Sequence, residues 1–299
     1  MKTWIFLALT AALLVLAGFL RPMHVKAQST RDSMTFGGIT RTYHVYRPAA
    51  LSRDAAAPLV VVLHGGFGTG AQAERAYHWD AAADAHGFVV LYPDGLRFAW
   101  NAGLCCGYPQ AENIDDVGFL TTLIAKVIQS ENIDPHRVYA TGISNGAFMS
   151  YRLACESSFQ FAAIGPDAGT LDVPCEHPKP TSVLAIHGLE DKNVPFNGGV
   201  GVGVDKSVRP SVPSSIARWR AIDHCAAPRT TSAPPVHTEI SQCAEGRTVE
   251  LITIDGAGHQ WPGSEPPAVG QIFGLKLDQP SHALDATAVF WEFFAAHRS

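Results

Sequence analysis

Val138-Tyr139-Ala140-Thr141-Gly142-Ile143-Ser144-Asn145-Gly146 decides the reading of this 299-residue chain. A short apolar run, Val138 to Thr141, enters the pentapeptide Gly142-Ile143-Ser144-Asn145-Gly146, and helical spacing from Asn145 to Cys155 leaves it. Strand, tight turn and helix in that order make a nucleophile elbow. Small residues two before and two after Ser144 let the turn close while the hydroxyl projects above the sheet edge. The flanks carry the argument, because a G-x-S-x-G pentapeptide alone is common and its serine can be a plain helix N-cap.

Outward from the elbow the same rhythm repeats. Arg41 to Tyr46 alternates as a strand, and Leu59 to Leu63 is an unbroken apolar run of the kind buried on both faces of a sheet. Ala71 to His86 has helical spacing and stops at Gly87, followed by the apolar run Phe88 to Tyr92. Further on, helices are expected over Asp116 to Gln129, Ser214 to Ile222 and Ala283 to Ala296, and strands over Phe161 to Gly165, Val183 to Ile186 and Val249 to Ile254. Strands alternating with helices predict one α/β domain with a mostly parallel central sheet and helices on both faces, and a nucleophile elbow set in such a sheet is the pattern of an α/β-hydrolase fold. Asn197 to Val204 and Ala226 to Gly246 lack helical periodicity and read as surface excursions.

The composition, 46% hydrophobic and 16% charged, suits one large core. A formal charge of −5 without any Lys/Arg run argues against a nucleic-acid partner. At the N-terminus Lys2 precedes the apolar stretch Trp4 to Leu20, then Arg21, Pro22 and the small residue Ala27, the pattern of a secretory signal over 1–27. Cleavage there leaves a domain over 28–299 with a charge of −8, located outside the cell or in a periplasm, with no stable membrane insertion. An uncleaved anchor is the alternative, since the apolar stretch approaches the roughly 20 residues of a spanning helix.

Six cysteines in an exported chain point to disulfides, with 15 possible pairings. The local loops Cys155–Cys175 and Cys225–Cys243 are the simplest choice and leave the neighbours Cys105 and Cys106 to each other. No spacing suits zinc, and no metal is expected.

A serine hydroxyl is a poor nucleophile until an imidazole takes its proton and a carboxylate fixes that imidazole's tautomer. In this fold the acid and then the histidine follow the serine. Of 13 histidines, His259 lies just past the strand Val249 to Ile254, in the turn Gly256-Ala257-Gly258-His259 at the carboxyl edge. Asp191 follows the strand Val183 to Ile186 and is the preferred acid, with Glu190 and Asp167 as alternatives. His187, beside an apolar strand, reads as structural. The tetrahedral oxyanion needs two N–H donors. Asn145, after the nucleophile, and Gly66, in His64-Gly65-Gly66-Phe67, are expected, with Phe67 next in line.

With these residues in place, the chain resembles the secreted poly(3-hydroxybutyrate) depolymerase and feruloyl esterase group, related to carbohydrate esterase family 1, over about Phe36 to Phe294. The marks are Leu63-His64-Gly65-Gly66, Trp100-Asn101 with Cys105-Cys106-Gly107, Asp115-Asp116-Val117-Gly118-Phe119, and Gly142-Ile143-Ser144-Asn145-Gly146-Ala147. After them come His187-Gly188 with Asp191 and Val194-Pro195, and Gly258-His259 with Trp261-Pro262. The resemblance implies a triad of Ser144, Asp191 and His259, no metal or organic cofactor, and ester-linked substrates. It also suggests that Trp100 and Trp261 line the substrate cleft. Asp167 stands where such enzymes are expected to carry a small neutral residue.

The expected activity is therefore hydrolysis of carboxylic esters, of hydroxyalkanoates or of feruloyl and acetyl polysaccharides, through an acyl-enzyme. A peptidase or amidase on the same triad, or a non-catalytic binding protein on the same fold, are the alternatives. The residues do not fix the oligomeric state.

Overall fold

Every side chain of the strand Ala57–Leu63 is buried, as an apolar run without alternation requires. The computed structural model describes residues 29–203, 205–266, 271–272, 275–276 and 278–299. Its principal strands are β1 (Thr30–Phe36), β2 (Ile39–Tyr46), β3 (Ala57–Leu63), β4 (Val89–Pro93), β5 (Ile133–Ile143), β6 (Ala163–Asp167), β7 (Ser182–Gly188), β8 (Gly199–Val200), β9 (Val208–Arg209), β10 (Arg229–Ala233), β11 (Val236–Gln242) and β12 (Thr248–Ile254). Ten of them form one sheet in the order β1-β2-β4-β3-β5-β6-β7-β12-β11-β10. From β4 to β12 neighbours run parallel, and the strands outside them pair antiparallel.

The helices are α1 (Gly70–Ala76), α2 (Trp79–His86), α3 (Gly107–Ala111), α4 (Asp116–Ser130), α5 (Asn145–Glu156), α6 (Val212–Ile222) and α7 (Ala286–Ala295). Side chains alternate across the pleat, so β3 feeds two cores at once. Leu59, Val61 and Leu63 pack in one with Phe119, Leu120 and Leu123 of α4. Val60 and Val62 pack in the other with Trp79 of α2 and Phe290 and Phe294 of α7. The chain leaves β3 for β4 on one side and returns to β5 on the other, so the loops after β3 and β5 part at the carboxyl edge and open a crevice between them.

Several element boundaries differ from the expectation. The single helix over 71–86 is two, because His78 takes a left-handed φ of 60° between α1 and α2. The strand expected over 161–165 runs two residues later and ends on Asp167 itself. Ala226 to Gly246 is not a bare excursion: it carries β10 and β11, a hairpin that widens the sheet. All five residues of β10 are exposed, so edge hydrogen bonding builds it without any apolar alternation to announce it. In the segment 197–204, β8 pairs with β9, and Val204 lies outside the described residues. Among the described residues no helix is long and apolar enough to cross a membrane, and the leader expected over 1–27 lies outside them.

Candidate active site

Ser144 sits at the junction of β5 and α5 with φ 56° and ψ −119°, a backbone state that non-glycine residues rarely hold. Its neighbours explain why this turn is possible. A Cβ on Gly142 would stand 2.4 Å from the carbonyl oxygen of Leu63, and one on Gly146 2.1 Å from the same atom. Both flanking positions must therefore be glycine for the elbow to close against the end of β3. The N–H of Ser144 donates to the Asp167 carbonyl at 3.0 Å, which ties the elbow to β6.

The turn after β3 lies directly over the elbow. A Cβ on Gly65 would be 3.7 Å from Cβ of Ser144, and one on Gly66 4.0 Å from Cβ of Asn145. Phe67 N–H donates to Phe98 O at 2.8 Å, and Gly68 N–H to Gly65 O at 3.0 Å. The N–H groups of Gly66 and Asn145 carry no acceptor among the described residues, which leaves this pair for an oxyanion.

His64 holds the turn from beneath. Gly95 N–H donates to its Nε2 at 2.8 Å, so its Nδ1 carries the proton that is given to Gly65 O at 2.8 Å. Burial pushes His64 down to about 4, so this ring is neutral and structural. The Asn145 side chain clamps the other donor: its Oδ1 accepts from Trp100 N at 2.7 Å and its Nδ2 donates to Trp100 O at 3.0 Å.

Asp191 and His259 arrive from the loops after β7 and β12, paired parallel neighbours. Asp191 Oδ2 lies 2.6 Å from His259 Nδ1, and its Oδ1 accepts the N–H groups of Asn193 and Val194, each at 2.8 Å. Burial pushes the Asp191 carboxyl up, but the charge and hydrogen bond of His259, then His187 and the Val194 N–H, outweigh it and hold it below its ordinary value. Burial lowers His259, and the charge and hydrogen bond of Asp191 reverse this, so its pKa is raised. His259 N–H donates to Asp278 Oδ2 at 2.7 Å, fixing the backbone of the loop. His187, pushed down by burial, bonds through Nε2 to Val194 O at 2.9 Å, the structural role its position suggested. Glu190 is exposed, and neither it nor Asp167 bonds to His259.

Ser144, Asn145, Gly66 and His259 line one cavity of about 500 Å³. No hydrogen bond joins Ser144 Oγ to His259 among the described residues, though both line this cavity.

The two tryptophans expected in the cleft are not there. Trp100 and Trp261 are 0% and 1% exposed and neither lines the cavity. Their indole N–H groups are satisfied internally, Trp100 by His64 O at 3.0 Å and Trp261 by Thr287 Oγ1 at 3.1 Å. Trp100 backs the Gly65-Gly66 turn, and Trp261 stacks on Tyr77.

The cleft walls come instead from Phe67, Phe98, Leu104, Tyr108 and Phe148, the first four exposed. Their sequence signal is weak: Phe67 and Phe98 hold φ of 65°, a state aromatic residue type does not foretell. Arg209 also lines the cavity, 4.2 Å over the Phe148 ring and ion-paired to Asp172 and Asp205.

Asp167 ends β6 beside the elbow, 1% exposed, with Oδ2 lacking any partner among the described residues. Burial, then the charge of Asp191, pushes its carboxyl well above the usual range. The cysteines pair as Cys155–Cys175, Cys225–Cys243 and Cys105–Cys106, the last on the cavity wall. Cys105, Cys106 and Asp205 come within 4.8 Å of one another, but sulfurs joined to each other offer no thiolate to a metal.

A sequence model of the family described as esterase PHB depolymerase matches residues 41–220. The chain is 31% identical over 278 residues to "Putative esterase NocK" of Nocardia uniformis subsp. tsuyamanensis, covering 86% of this chain and 81% of that protein. It is 30% identical over 225 residues to feruloyl esterase B of Piromyces equi, covering 71% of this chain but only 41% of that protein's length. Among solved structures it is similar to an acetyl xylan esterase from Aspergillus awamori, with a TM-score of 0.61 at 15% identity, over 89% of this chain and 99% of that one. That last likeness bears on the fold, the α/β-hydrolase arrangement of sheet and helices described above.

Proposed function

Because the chain belongs to the esterase PHB depolymerase family and is a carboxylic ester hydrolase, we propose that it works through an acyl-enzyme on Ser144, with His259 as base and Asp191 as its anchor. The observation that carries this reading is the 2.6 Å contact between His259 and a buried Asp191, opening on the cavity that Ser144 lines. Asp191 holds the proton on Nδ1, which leaves Nε2 to take the serine proton as Oγ attacks the ester carbonyl. The N–H groups of Gly66 and Asn145 receive the oxyanion. His259 then protonates the departing alcohol, and water attacks the acyl-enzyme by the reverse path.

The substrates of this reading are esters of hydroxyalkanoates, or feruloyl and acetyl esters of polysaccharides, met outside the cell or in a periplasm. The aromatic walls Phe67, Phe98 and Tyr108 support an apolar or flat group beside the carbonyl. Turnover of p-nitrophenyl butyrate by wild type and by Ser144→Ala tests the mechanism. A loss of about 10⁴-fold or more is expected, and equal activity in the two proteins overturns it. Product analysis with hydroxybutyrate oligomers, feruloylated xylan oligomers and acetylated xylan then separates the substrate classes.

A further inference from the structure

The turn Leu96–Phe98 divides two cavities. Arg97 and Phe98 line both the catalytic cavity and a second one of about 350 Å³, whose wall also includes Arg31, Thr42, His44 and Asp94. Two successive non-glycine residues here hold left-handed backbone, Arg97 at φ 49° and Phe98 at φ 65°. Such a pair is costly to keep. It is held by the bond from Phe67 N–H to Phe98 O, so the ridge is fastened to the turn that carries the Gly66 donor.

The charges along this path are uneven. In the catalytic cavity Arg209 is neutralised by Asp172 and Asp205, and His259 faces Asp191. In the second cavity His44 lies 3.0 Å from Glu74, and the Asp94 carboxylate accepts from Thr42 Oγ1 at 2.6 Å and Gly70 N–H at 2.8 Å. Arg97 and Arg31 are both exposed and have no carboxylate partner among the described residues. Arg97 is nonetheless placed: its guanidinium carbon lies 3.9 Å over the Tyr108 ring. A guanidinium lying on a ring keeps its N–H edge free for the two oxygens of a carboxylate.

We propose that Arg97, seconded by Arg31, forms a carboxylate subsite, so that the preferred esters carry a free carboxylate on the part that leaves the catalytic cavity over the Arg97–Phe98 ridge. This rests on the ester-hydrolase reading and narrows its substrate. The carboxylate comes from one of two sources: the free-acid end of a hydroxyalkanoate oligomer, or a uronate next to an ester on a polysaccharide. The reaction itself is unchanged, since the charged group is bound and not transformed.

The test compares kcat/KM for the 3-hydroxybutyrate trimer as free acid and as methyl ester. In a second arm it compares an acetylated uronate-bearing xylan oligomer with the same oligomer after reduction of the uronate. Wild type is expected to prefer the acid form in one arm by about tenfold, mostly through KM, as one charge-assisted contact at a partly exposed site allows. The arm showing the preference identifies the source. Arg97→Gln should bring the ratio near one, Arg97→Lys should keep part of it, and Arg31→Gln should reduce it less. Added salt should weaken the wild-type preference. A wild-type ratio near one in both arms, or a ratio that Arg97→Gln leaves intact, overturns the subsite. Titration of the Ser144→Ala protein with the same acids, with and without Arg97→Gln, reads the subsite without turnover. A failure of the hydrolysis mechanism is thereby distinguished from a failure of the subsite.

Discussion

β6 and β7 lie side by side in the sheet, and each delivers a buried aspartate to the same corner of the molecule in opposite states. Asp191, in the loop after β7, receives two backbone N–H groups and the His259 imidazole, and its carboxyl is held below its ordinary value despite burial. Asp167, the last residue of β6, has no donor on Oδ2 among the described residues, faces the charge of Asp191, and is pushed well above its ordinary value. Burial is shared by the two. The difference is made by the charge of His259 and the hydrogen-bond donors that surround Asp191, where Asp167 meets only the charge of Asp191. Residue type and strand-end position thus make both aspartates candidates for the catalytic acid, and only the charges and donors around each separate them.

The largest expected effect breaks the comparison on the Asp191 side. Asp191→Asn should lower kcat by about 10⁴-fold, because an amide no longer fixes the imidazole tautomer that serves as base. Steady-state kinetics on p-nitrophenyl butyrate check this, and a loss smaller than tenfold would move the acid elsewhere.

The pH dependence comes next in size. His259 must be neutral to act as base, and its pKa is raised, so kcat/KM should climb with pH along a limb centred above 6.5. Weakening the acid by Asp191→Asn should shift that limb downward in the residual activity, since both contributions of Asp191 raise the imidazole. A limb that stays in place would separate His259 from Asp191.

Asp167 sharpens the comparison from the other side, through stability. Its folded-state pKa lies above the ordinary 3.8, so the native chain keeps a proton that the unfolded chain releases. Stability is therefore lost as pH rises from the ordinary aspartate value toward the raised one. Asp167→Asn removes the titration, and its Tm should exceed that of wild type near pH 8 by more than it does near pH 4. A thermal-melt series in matched buffers reads this, and an equal difference at both ends would contradict a protonated Asp167. Smallest of all, Asp167→Asn should change kcat/KM by less than about threefold at pH 7, since an amide of the same shape replaces a carboxyl that makes no bond to His259. A loss as large as that of Asp191→Asn would make Asp167 part of the catalytic machinery.

How far this corner could be read from residues alone follows from the same distinction. Ser144 was legible because its two glycines answer to hard contacts with Leu63 O, and a steric requirement leaves a fixed residue type at a fixed spacing. The placing of Asp191, His259 and Gly66 at one edge of the sheet follows from strand ends and chain order, which the parallel sheet enforces. The cleft walls were not legible. Trp100 and Trp261 have the residue type of a substrate platform, but each indole found an internal acceptor and sank into the core. Phe98 and Arg97 reach the cavity only because their turn adopts left-handed backbone without glycine, which carries no sequence mark. β10 leaves no mark in the sequence for a related reason, since a strand exposed at all five residues has no apolar alternation.

The central claim, that Ser144 is the nucleophile of an acyl-enzyme, is tested most directly by intact-mass and peptide mapping after exposure to a slowly deacylating ester. Wild type is predicted to gain one acyl group on the peptide containing Ser144, with Asp191→Asn acylating far more slowly and Ser144→Ala not at all. An adduct on another residue, or undiminished ester turnover by Ser144→Ala, would contradict it.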